Sequence, residues 1–229
     1  MRRLRAIASL ARPSLPAVVS EFGWDAAWRQ GVTPWRLRFA TPTLVHLLST
    51  SAFPAPAGAR VLVPGCGCAR DAIALADSGY AVDAEDISTA ALAEARALLE
   101  AHSSAHGSST LIRTGTLSLI ERDFFSEATP SGYYAAMWDY TFLCAIPVES
   151  REEWARTAAR RLAPGGALVA QIFPVEPTLV GGPPFHTDPQ SIDALLKRAG
   201  FNLINLELAP TSISERKGRE WLGIWERTI

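Results

Sequence analysis

The chain has 229 residues, of which 48% are hydrophobic and 20% are charged, a composition typical of a single globular domain. Its formal net charge is −1, so bulk charge gives no reason to expect nucleic acid or an anionic membrane surface as a partner. No apolar run reaches about 18 residues, and we therefore predict no membrane-spanning helix.

The first 20 residues carry four arginines and no acid. A mitochondrial presequence would tolerate this composition, and so would a helical or unstructured lead-in. Arg12, Pro13 and Pro16 interrupt the apolar stretch that a secretory signal would need. We favour a lead-in over residues 1–20, followed by one domain over residues 21–229.

Beyond the Trp-rich opening at 21–50, strand-like segments alternate with helix-like ones. The predicted strands cover 61–63, 80–84, 117–122, 134–138, 167–173, 202–208 and 221–227. The predicted helices cover 70–78, 89–102, 151–162 and 189–199. Polar or Pro-rich stretches predict loops at 102–115 and 174–188, and a sharp turn at 164–166. This alternation predicts parallel βαβ units in a doubly wound α/β sheet, with ligands bound outside the carboxyl ends of the strands.

The strongest local signal is a strand that runs into Gly65 and Gly67 and then directly into a helix. Glycines let the backbone turn tightly and leave room for a ligand, and the following helix offers unpaired N–H groups. A dinucleotide fingerprint would need a glycine at position 70, where the chain has Arg70. This mismatch disfavours a nicotinamide-dependent oxidoreductase, which we keep as an alternative.

Acidic residues lie at the ends of the second and third predicted strands. Asp83, Glu85 and Asp86 follow the glycine turn by about 20 residues, where a carboxylate can accept the hydroxyls of a ribose. The alternative is a solvated charge cluster. Asp123 and Phe124 could accept a hydrogen bond from an adenine amino group and pack on its ring. Together these positions predict an adenosine site.

The fourth predicted strand ends in Asp139 and Tyr140, which we expect to face the centre of the cleft, where a reaction would occur. His186 follows a Gly-Gly-Pro-Pro-Phe loop that should border a second substrate, so it is a candidate substrate contact. Cys66, Cys68 and Cys144 fit neither a disulfide framework nor zinc spacing, so we predict no metal and a reducing compartment, the cytoplasm.

Several motifs together resemble those of the thiol and halide methyltransferases in the thiopurine S-methyltransferase superfamily. They are WDAAWRQGVTPW at 24–35, VPGCG at 63–67, DIS at 86–88, DFF at 123–125, DYTFLCAI at 139–146 and GGPPF at 181–185. The Trp-rich and Gly-Gly-Pro-Pro segments are the most specific of these. The resemblance covers residues 22–228 and implies a class I methyltransferase fold, Rossmann-like, with a mostly parallel sheet, an antiparallel last strand and an N-terminal helical lid.

The resemblance implies S-adenosylmethionine (SAM) as the cofactor and methyl transfer to a small soft nucleophile, for which we favour the sulfur of an organic thiol. Halide or thiocyanate is the alternative acceptor, and a SAM-binding module without activity is an alternative of another class. The implied cofactor residues are Trp24, Trp28, Trp35, Gly65, Cys66, Gly67, Asp86, Ile87, Asp123, Phe124 and Asp139. The implied catalytic residues are Asp139 and Tyr140, and the expected substrate contacts are Tyr140, Phe185 and His186.

Two departures from the family pattern affect the site. Glu85 precedes Asp86 where an apolar residue is usual, so the choice of ribose acid stays open. Phe185 replaces a tyrosine, which we interpret as favouring an organic thiol over a halide. A thiol with a pKa near 8.5 is already ionised to about a few per cent at neutral pH, so no strong general base is required. No long heptad is present, and we expect a monomer.

Overall fold

The computed structural model describes residues 14–105, 116–127 and 131–228. The strands in these ranges are β1 (Arg60–Pro64), β2 (Ala81–Asp86), β3 (Leu117–Glu121), β4 (Tyr134–Tyr140), β5 (Leu162–Ile172), β6 (Phe201–Leu208) and β7 (Trp221–Arg227). The α-helices are α1 (Leu15–Arg29), α2 (Pro42–Ser49), α3 (Arg70–Asp77), α4 (Thr89–Ala105), α5 (Arg151–Arg161) and α6 (Pro189–Arg198). Among them, none has the length and apolar character that a membrane span requires.

The strands form one sheet in the order β3-β2-β1-β4-β5-β7-β6. Strands β1 to β5 pair in parallel, whereas β7 runs antiparallel to both β5 and β6. The predicted doubly wound sheet with an antiparallel last strand is therefore confirmed. The strand order reverses between β1 and β4, and in such sheets a ligand-binding crevice forms at the carboxyl ends of these strands.

The sheet is buried on both faces because its central strands carry apolar side chains in consecutive positions. In β4, Trp138 packs into the core cluster beneath α3, while Met137 packs into the cluster beneath α5. Trp138, Trp154 and Trp225 are fully buried, as their sequence context predicts. This two-sided core holds the carboxyl ends of β1, β2 and β4 in fixed positions.

Helix α1 crosses the boundary that we expected at residue 21. It begins at Leu15, bends at Gly23, where φ is 79°, and continues to Arg29. Leu15 and Val18 are buried against Ala27, so residues 15–20 pack with the domain and are not a separate lead-in. Residues 1–13, and with them the question of a presequence, lie outside the described residues.

Two smaller predictions differ from the structure. The stretch 164–166, predicted as a sharp turn, lies within β5, which begins at Leu162 and is irregular at Gly165, where φ is 75°. The loop predicted from residue 102 begins later, because α4 continues to Ala105 and the His102 ring contacts the Asp77 carboxylate at 3.1 Å. Residues 106–115 lie outside the described part of the chain.

Candidate active site

Two adjoining cavities lie at the carboxyl ends of the strands. The larger, which we call the large chamber, has a volume of about 410 Å³ and a mostly apolar lining contributed by segments after β1, β2, β3 and β4. The smaller, the small chamber, has a volume of about 80 Å³ and lies beside β1 and the start of α3. The two chambers share Trp28, Trp35, Gly65, Gly67 and Thr141, so they are connected across the glycine turn.

The glycine turn has no room for side chains. Gly65 and Gly67 both adopt φ of 54°, a conformation that favours glycine. A Cβ on Gly67 would lie 2.9 Å from the Trp28 ring, and one on Gly65 would lie 2.5 Å from the Phe142 ring. The turn is therefore tightly covered by two aromatic rings and keeps its backbone open to both chambers.

Three indole rings cover the large chamber from the N-terminal side. Trp35 packs edge-to-face against Trp24, with ring centroids 5.5 Å apart, and against Trp28, with centroids 5.7 Å apart. All three side chains line the large chamber. The structure thus brings together the predicted lid, and α1 supplies two of its three indoles.

Asp25 fastens this lid to the segment after β2. Its carboxylate accepts hydrogen bonds from the Ala90 backbone N–H at 2.9 Å and from the Ser88 hydroxyl at 2.8 Å. The Ala90 bond and then those from Arg29 and Ser88 hold the pKa of Asp25 well below its usual range. Asp25 therefore caps the first turn of α4 from another element and docks α1 there.

Of the acids at the end of β2, Glu85 is committed to ion pairing. Both of its oxygens accept hydrogen bonds from Arg161, at 2.6 and 2.7 Å, and Arg122 adds a third at 2.7 Å. Glu85 and Arg161 are both almost completely buried. The carboxylate of Glu85 is thus neutralised by two guanidinium groups, which disfavours it as the ribose acid.

Asp86 is the acid that faces the glycine turn. Its carboxylate accepts hydrogen bonds from the backbone N–H groups of Gly67 and Ser88, both at 2.8 Å, and it lines the large chamber. Burial raises the pKa of Asp86 above its ordinary value. Each carboxylate oxygen can accept more than one hydrogen bond, so Asp86 retains acceptor capacity for a ligand hydroxyl. The geometry favours Asp86 over Glu85 in this role.

Side chains that could enclose a flat base lie next to Asp86. Ile87 is a large apolar residue left 57% exposed, and it lines the large chamber together with buried Phe124. Asp123 also lines the chamber, and its carboxylate accepts a hydrogen bond from the Phe125 N–H at 3.0 Å. The structure brings these predicted adenine contacts into one wall.

Asp139 does not face the cleft, contrary to the prediction. It is 1% exposed and lines neither chamber. Its carboxylate accepts hydrogen bonds from the Leu143 N–H and the Trp154 indole N–H, both at 3.0 Å, and burial raises its pKa to about 6. Because successive side chains on a strand point to opposite faces, Asp139 is directed towards α5, away from the chambers.

Tyr140, the next residue, lines the small chamber. Its hydroxyl donates a hydrogen bond to Glu220 at 2.8 Å and accepts one from Arg216. Burial raises the pKa of Tyr140 well above its ordinary value, so the phenol stays protonated at neutral pH. It can position a neighbouring group but cannot act as a base there.

Arg216 is a residue of the site that the sequence analysis missed. It is 7% exposed, lines the large chamber and donates a hydrogen bond to the backbone oxygen of Trp35 at 3.0 Å. Its guanidinium lies 4.6 Å from the centre of the Phe173 ring. Arg216 follows β6 in a polar segment without periodicity, so no pattern in the sequence indicates that it turns inward.

The Gly-Gly-Pro-Pro-Phe loop reaches the large chamber through its prolines. Pro183 and Pro184 line the chamber, whereas Phe185 and His186 do not. The Nδ1 of His186 accepts a hydrogen bond from the Glu176 N–H at 3.0 Å, which holds the two sides of the loop together. Phe185 and His186 line neither chamber, so the structure does not bring them to the position that we predicted for substrate contacts.

The thiols and imidazoles near the chambers offer no general base. Cys144 lines the large chamber; its Sγ donates to the Thr141 carbonyl at 3.3 Å, and burial and then Asp139 raise its pKa to about 12. Cys66 lines the small chamber, and burial raises its pKa well above the ordinary value. No histidine within the described ranges lines either chamber.

Comparisons with known proteins agree with this geometry. A family model described as Thiopurine S-methyltransferase (TPMT) matches residues 19–224, a range that includes the lid, the glycine turn and Arg216. The chain is 36% identical to Thiocyanate methyltransferase 1 of Arabidopsis thaliana over 213 residues, which cover 93% of this chain and 88% of that protein. It is 34% identical to Probable thiol methyltransferase 2 of the same plant over 209 residues, covering 91% and 86%. A solved structure of magnesium protoporphyrin IX methyltransferase from Synechocystis with bound SAH matches with a TM-score of 0.61 and 16% identity, covering 89% of this chain and 85% of that one.

Proposed function

The chain belongs to the thiopurine S-methyltransferase family and is a SAM-dependent methyltransferase, and from this premise we propose that its acceptor is the sulfur of a small organic thiol. Family membership removes the nicotinamide-dependent oxidoreductase from the alternatives. We propose both the methyl acceptor and the roles of the individual residues around the chambers.

The residues around the two chambers fit SAM. The glycine turn is a cradle that any side chain would fill, and it connects a large, mostly apolar chamber with a small chamber whose lining is partly polar. In our proposal Asp86 accepts the ribose hydroxyls and Ile87 and Phe124 enclose the adenine. The remaining proposed cofactor contacts are Trp24, Trp28, Trp35, Gly65, Cys66, Gly67 and Asp123. When bound, SAM supplies an electrophilic methyl group on a sulfonium.

The chemistry left to the protein is alignment and exclusion of water. The indole lid, docked by Asp25, closes the large chamber on one side. Aromatic faces near a sulfonium can stabilise its charge by roughly 0.5–2 kcal/mol each. Trp28 and Phe142, which cover the glycine turn, are placed for this role.

The Glu85, Asp86 and Tyr140 side chains beside the glycine turn are already engaged, which favours an acceptor that ionises without help. Glu85 is ion-paired, Asp86 accepts two backbone hydrogen bonds, and Tyr140 is held protonated. An alcohol or a protonated amine would need a base to become nucleophilic, whereas a thiol is ionised to about a few per cent at neutral pH. This arrangement supports a soft nucleophile.

The observation that carries the proposal is the buried guanidinium of Arg216 in a chamber that is otherwise mostly apolar. An opposite charge within a few ångströms of a thiol lowers its pKa and stabilises the thiolate. The chamber lining also includes the apolar side chains of Phe173, Pro183 and Pro184, which suit an acceptor with an apolar body. An organic thiolate satisfies both features.

Thiocyanate is the second candidate acceptor, because one relative at 36% identity is named Thiocyanate methyltransferase 1 and a buried guanidinium would also attract a small anion. Phe185 gives no reason to disfavour halides, contrary to our expectation, because its ring does not line the chamber. The choice of an organic thiol over a small anion therefore rests on the apolar lining, because Arg216 would attract either one.

A competition assay tests the acceptor. The protein is incubated with SAM and equal concentrations of thiophenol, hydrogen sulfide, thiocyanate and iodide, and the methylated products are quantified by gas chromatography. We expect thioanisole to dominate. Methyl thiocyanate or iodomethane as the main product would replace the thiol proposal with the small-anion alternative. Tight SAM binding without any product would indicate a module that binds SAM without transferring methyl groups.

We also propose that the protein acts as a monomer in a reducing compartment, the cytoplasm. Cys66, Cys68 and Cys144 are all unpaired thiols, and all three border the chambers, where oxidation would add bulk. Light scattering after size-exclusion chromatography tests the monomer, and retained SAM binding after mild oxidation would contradict the need for reduced thiols.

A further inference from the structure

Two irregular segments form the proposed acceptor side of the large chamber. The first follows β4 and contributes Cys144 and Ile146, and the second is the Gly-Gly-Pro-Pro-Phe loop, which contributes Pro183 and Pro184. They are joined directly, because the Phe185 N–H donates a hydrogen bond to the Cys144 carbonyl at 2.8 Å. Neither segment belongs to a helix or a strand, so contacts with neighbouring elements fix its position.

Arg151, the first residue of α5, supplies such contacts to the Gly-Gly-Pro-Pro-Phe loop. Its Nη2 donates hydrogen bonds to the His186 carbonyl at 2.9 Å and to the Thr187 hydroxyl at 3.3 Å. The Thr187 hydroxyl donates in turn to the Phe185 carbonyl at 3.1 Å. Arg151 therefore holds the residues that follow the two prolines in the sequence.

The environment of Arg151 is unusual for a charged group. It is 8% exposed, and none of the ion pairs found among the described residues includes it. Its Nε is also buried and has no hydrogen-bond partner there. Burial disfavours the charged form and lowers the pKa of Arg151 below its ordinary value. Because the burial of a poorly paired charge costs free energy, the stability of α5 alone does not account for an arginine at this position.

Trp154, one turn later on α5, holds the other segment of the acceptor side. Its indole N–H donates to the Asp139 carboxylate, which also accepts a hydrogen bond from the Leu143 N–H, both at 3.0 Å. The first turn of α5 thus contacts both segments, the one after β4 through Trp154 and Asp139, and the Gly-Gly-Pro-Pro-Phe loop through Arg151. Of these contacts, only those of Arg151 are with the loop that contains the lining prolines.

We propose that Arg151 is a positioning residue for the methyl acceptor, which holds Pro183 and Pro184 at a fixed distance from the opposite wall and thereby favours acceptors with an apolar body. This inference rests on the proposed function, since it takes the large chamber as the acceptor site. Arg151 lines neither chamber, so it acts through the loop and not by contact with the acceptor. A shift of the loop by about 1 Å would misplace a bulky acceptor far more than one too small to touch both walls.

Kinetics with a bulky and a small thiol test this role, because hydrogen sulfide undergoes the same methyl transfer as thiophenol without filling the chamber. In Arg151→Met, kcat/KM for thiophenol should fall about tenfold, mainly through KM, because the prolines contact the acceptor both before and during the reaction. For hydrogen sulfide kcat/KM should change less than about threefold, and the affinity for SAM should change less than about twofold. The preference for thiophenol should therefore fall, which a general loss of stability would not produce.

Three further variants test the contact itself. Arg151→Lys keeps a donor for the His186 carbonyl but loses the planar set of donors, so it should retain part of the preference for thiophenol. Thr187→Val removes one acceptor of Arg151 and nearly preserves the shape of the side chain, so the preference should fall by about two- to threefold. Arg156→Met removes an exposed guanidinium from the same helix and should leave the preference unchanged. If Arg151→Met is unfolded by circular dichroism, Arg151→Lys and Thr187→Val provide the same comparison.

Hydrogen–deuterium exchange, which needs no acceptor, separates this inference from the proposed function. The backbone amides of residues 185–187 should exchange faster in Arg151→Met than in wild type, whereas those of the lid at 24–35 should not. Unchanged exchange at 185–187 would overturn the role of Arg151, and so would a preference for thiophenol that stays the same in every folded Arg151 and Thr187 variant. A wild-type protein that methylates no thiol would contradict the proposed function instead, and the exchange at 185–187 would then decide whether Arg151 holds the loop.

Discussion

The ends of β2 and β4 each carry an aspartate at the edge where parallel strands bind ligands, yet the two aspartates lie in different environments. Asp86 faces the glycine turn and lines the large chamber. Asp139 points to the opposite face, where the Trp154 indole and the Leu143 N–H occupy its oxygens. At the end of β4, Tyr140 takes the position beside the chambers.

The comparison shows that nearness to a strand end is not sufficient to place an acid in a site. The role of the acid depends on the face of the sheet on which its side chain lies and on the hydrogen-bond donors present on that face. Trp154 of α5 supplies a buried N–H that needs an acceptor, and Asp139 satisfies it. We therefore propose that Asp139 stabilises the fold and that Asp86 contacts the ligand.

The largest expected effect is the change in the free energy of unfolding with pH that the ionisation of Asp139 causes. The folded-state pKa of Asp139 is about 6, above its ordinary 3.8. Its contribution to stability is therefore fully present below pH 3.8 and is lost as the pH rises through 6. Asp139→Asn cannot ionise, so between pH 4 and pH 7 its free energy of unfolding should gain up to about 3 kcal/mol relative to wild type.

Urea unfolding at both pH values measures this difference. Calorimetry on the same variant should give an affinity for SAM within about twofold of wild type. Two results would contradict this prediction and favour a ligand contact for Asp139. One is a free energy of unfolding that changes with pH in the same way in wild type and Asp139→Asn, and the other is a large loss of SAM affinity in the variant.

The second prediction concerns the acid that faces the chamber. Asp86→Ala should weaken SAM binding by at least about 1.5 kcal/mol, because it removes the proposed acceptor of the ribose hydroxyls. It also removes the acceptor of the Gly67 N–H, so the glycine turn should loosen. Asp139→Asn is the matched control, and equal affinities in the two variants would contradict the contrast between the strands.

The third prediction concerns the hydroxyl of Tyr140 at the end of β4, which Tyr140→Phe tests. The substitution removes the hydroxyl that links Arg216 and Glu220 but keeps the ring. We expect turnover to fall about fivefold, which corresponds to about 1 kcal/mol for one hydrogen bond, with a smaller change in SAM affinity. Tyr133→Phe, at a half-exposed position, serves as the control. Equal losses in turnover and affinity would make Tyr140 a cofactor-holding residue.

The smallest effect is expected at the lid, which docks beside the end of β2. Asp25→Ala removes the cap that Asp25 supplies to α4, and the loss should weaken SAM binding by roughly 0.5–1 kcal/mol. Tryptophan fluorescence during SAM titration reports both the affinity and the position of the indoles. Unchanged fluorescence and affinity would show that the lid does not depend on this contact.

The fold was predictable because its signals are local. Apolar strands alternate with helices, and the glycine turn precedes α3, so the order of elements and their parallel pairing follow from short-range patterns. The three indoles of the lid lie within residues 24–35, so the sequence alone predicts that they lie close together. Asp86, Ile87 and Phe124 follow strands directly and line the large chamber, while their contacts with the cofactor stay a prediction.

The missed features depend on contacts between distant parts of the chain. Arg216 meets Tyr140 across 76 positions, and nothing near either residue in the sequence predicts that contact. The direction of Asp139 depends on one indole of α5, since the sequence specifies alternation of faces but not which partner each face meets. The expected position of Phe185 and His186 differs from the structure because residues that follow the lining prolines in a loop need not point into the same chamber.

One further consequence follows from Cys144. A protein proposed to methylate thiols carries a thiol of its own in the wall of the large chamber, so it must avoid becoming its own substrate. Burial and then the Asp139 carboxylate raise the pKa of Cys144 to about 12, so at neutral pH its thiol is protonated far more completely than an ordinary free thiol. We expect this to keep Cys144 from being methylated while a diffusing thiolate reacts.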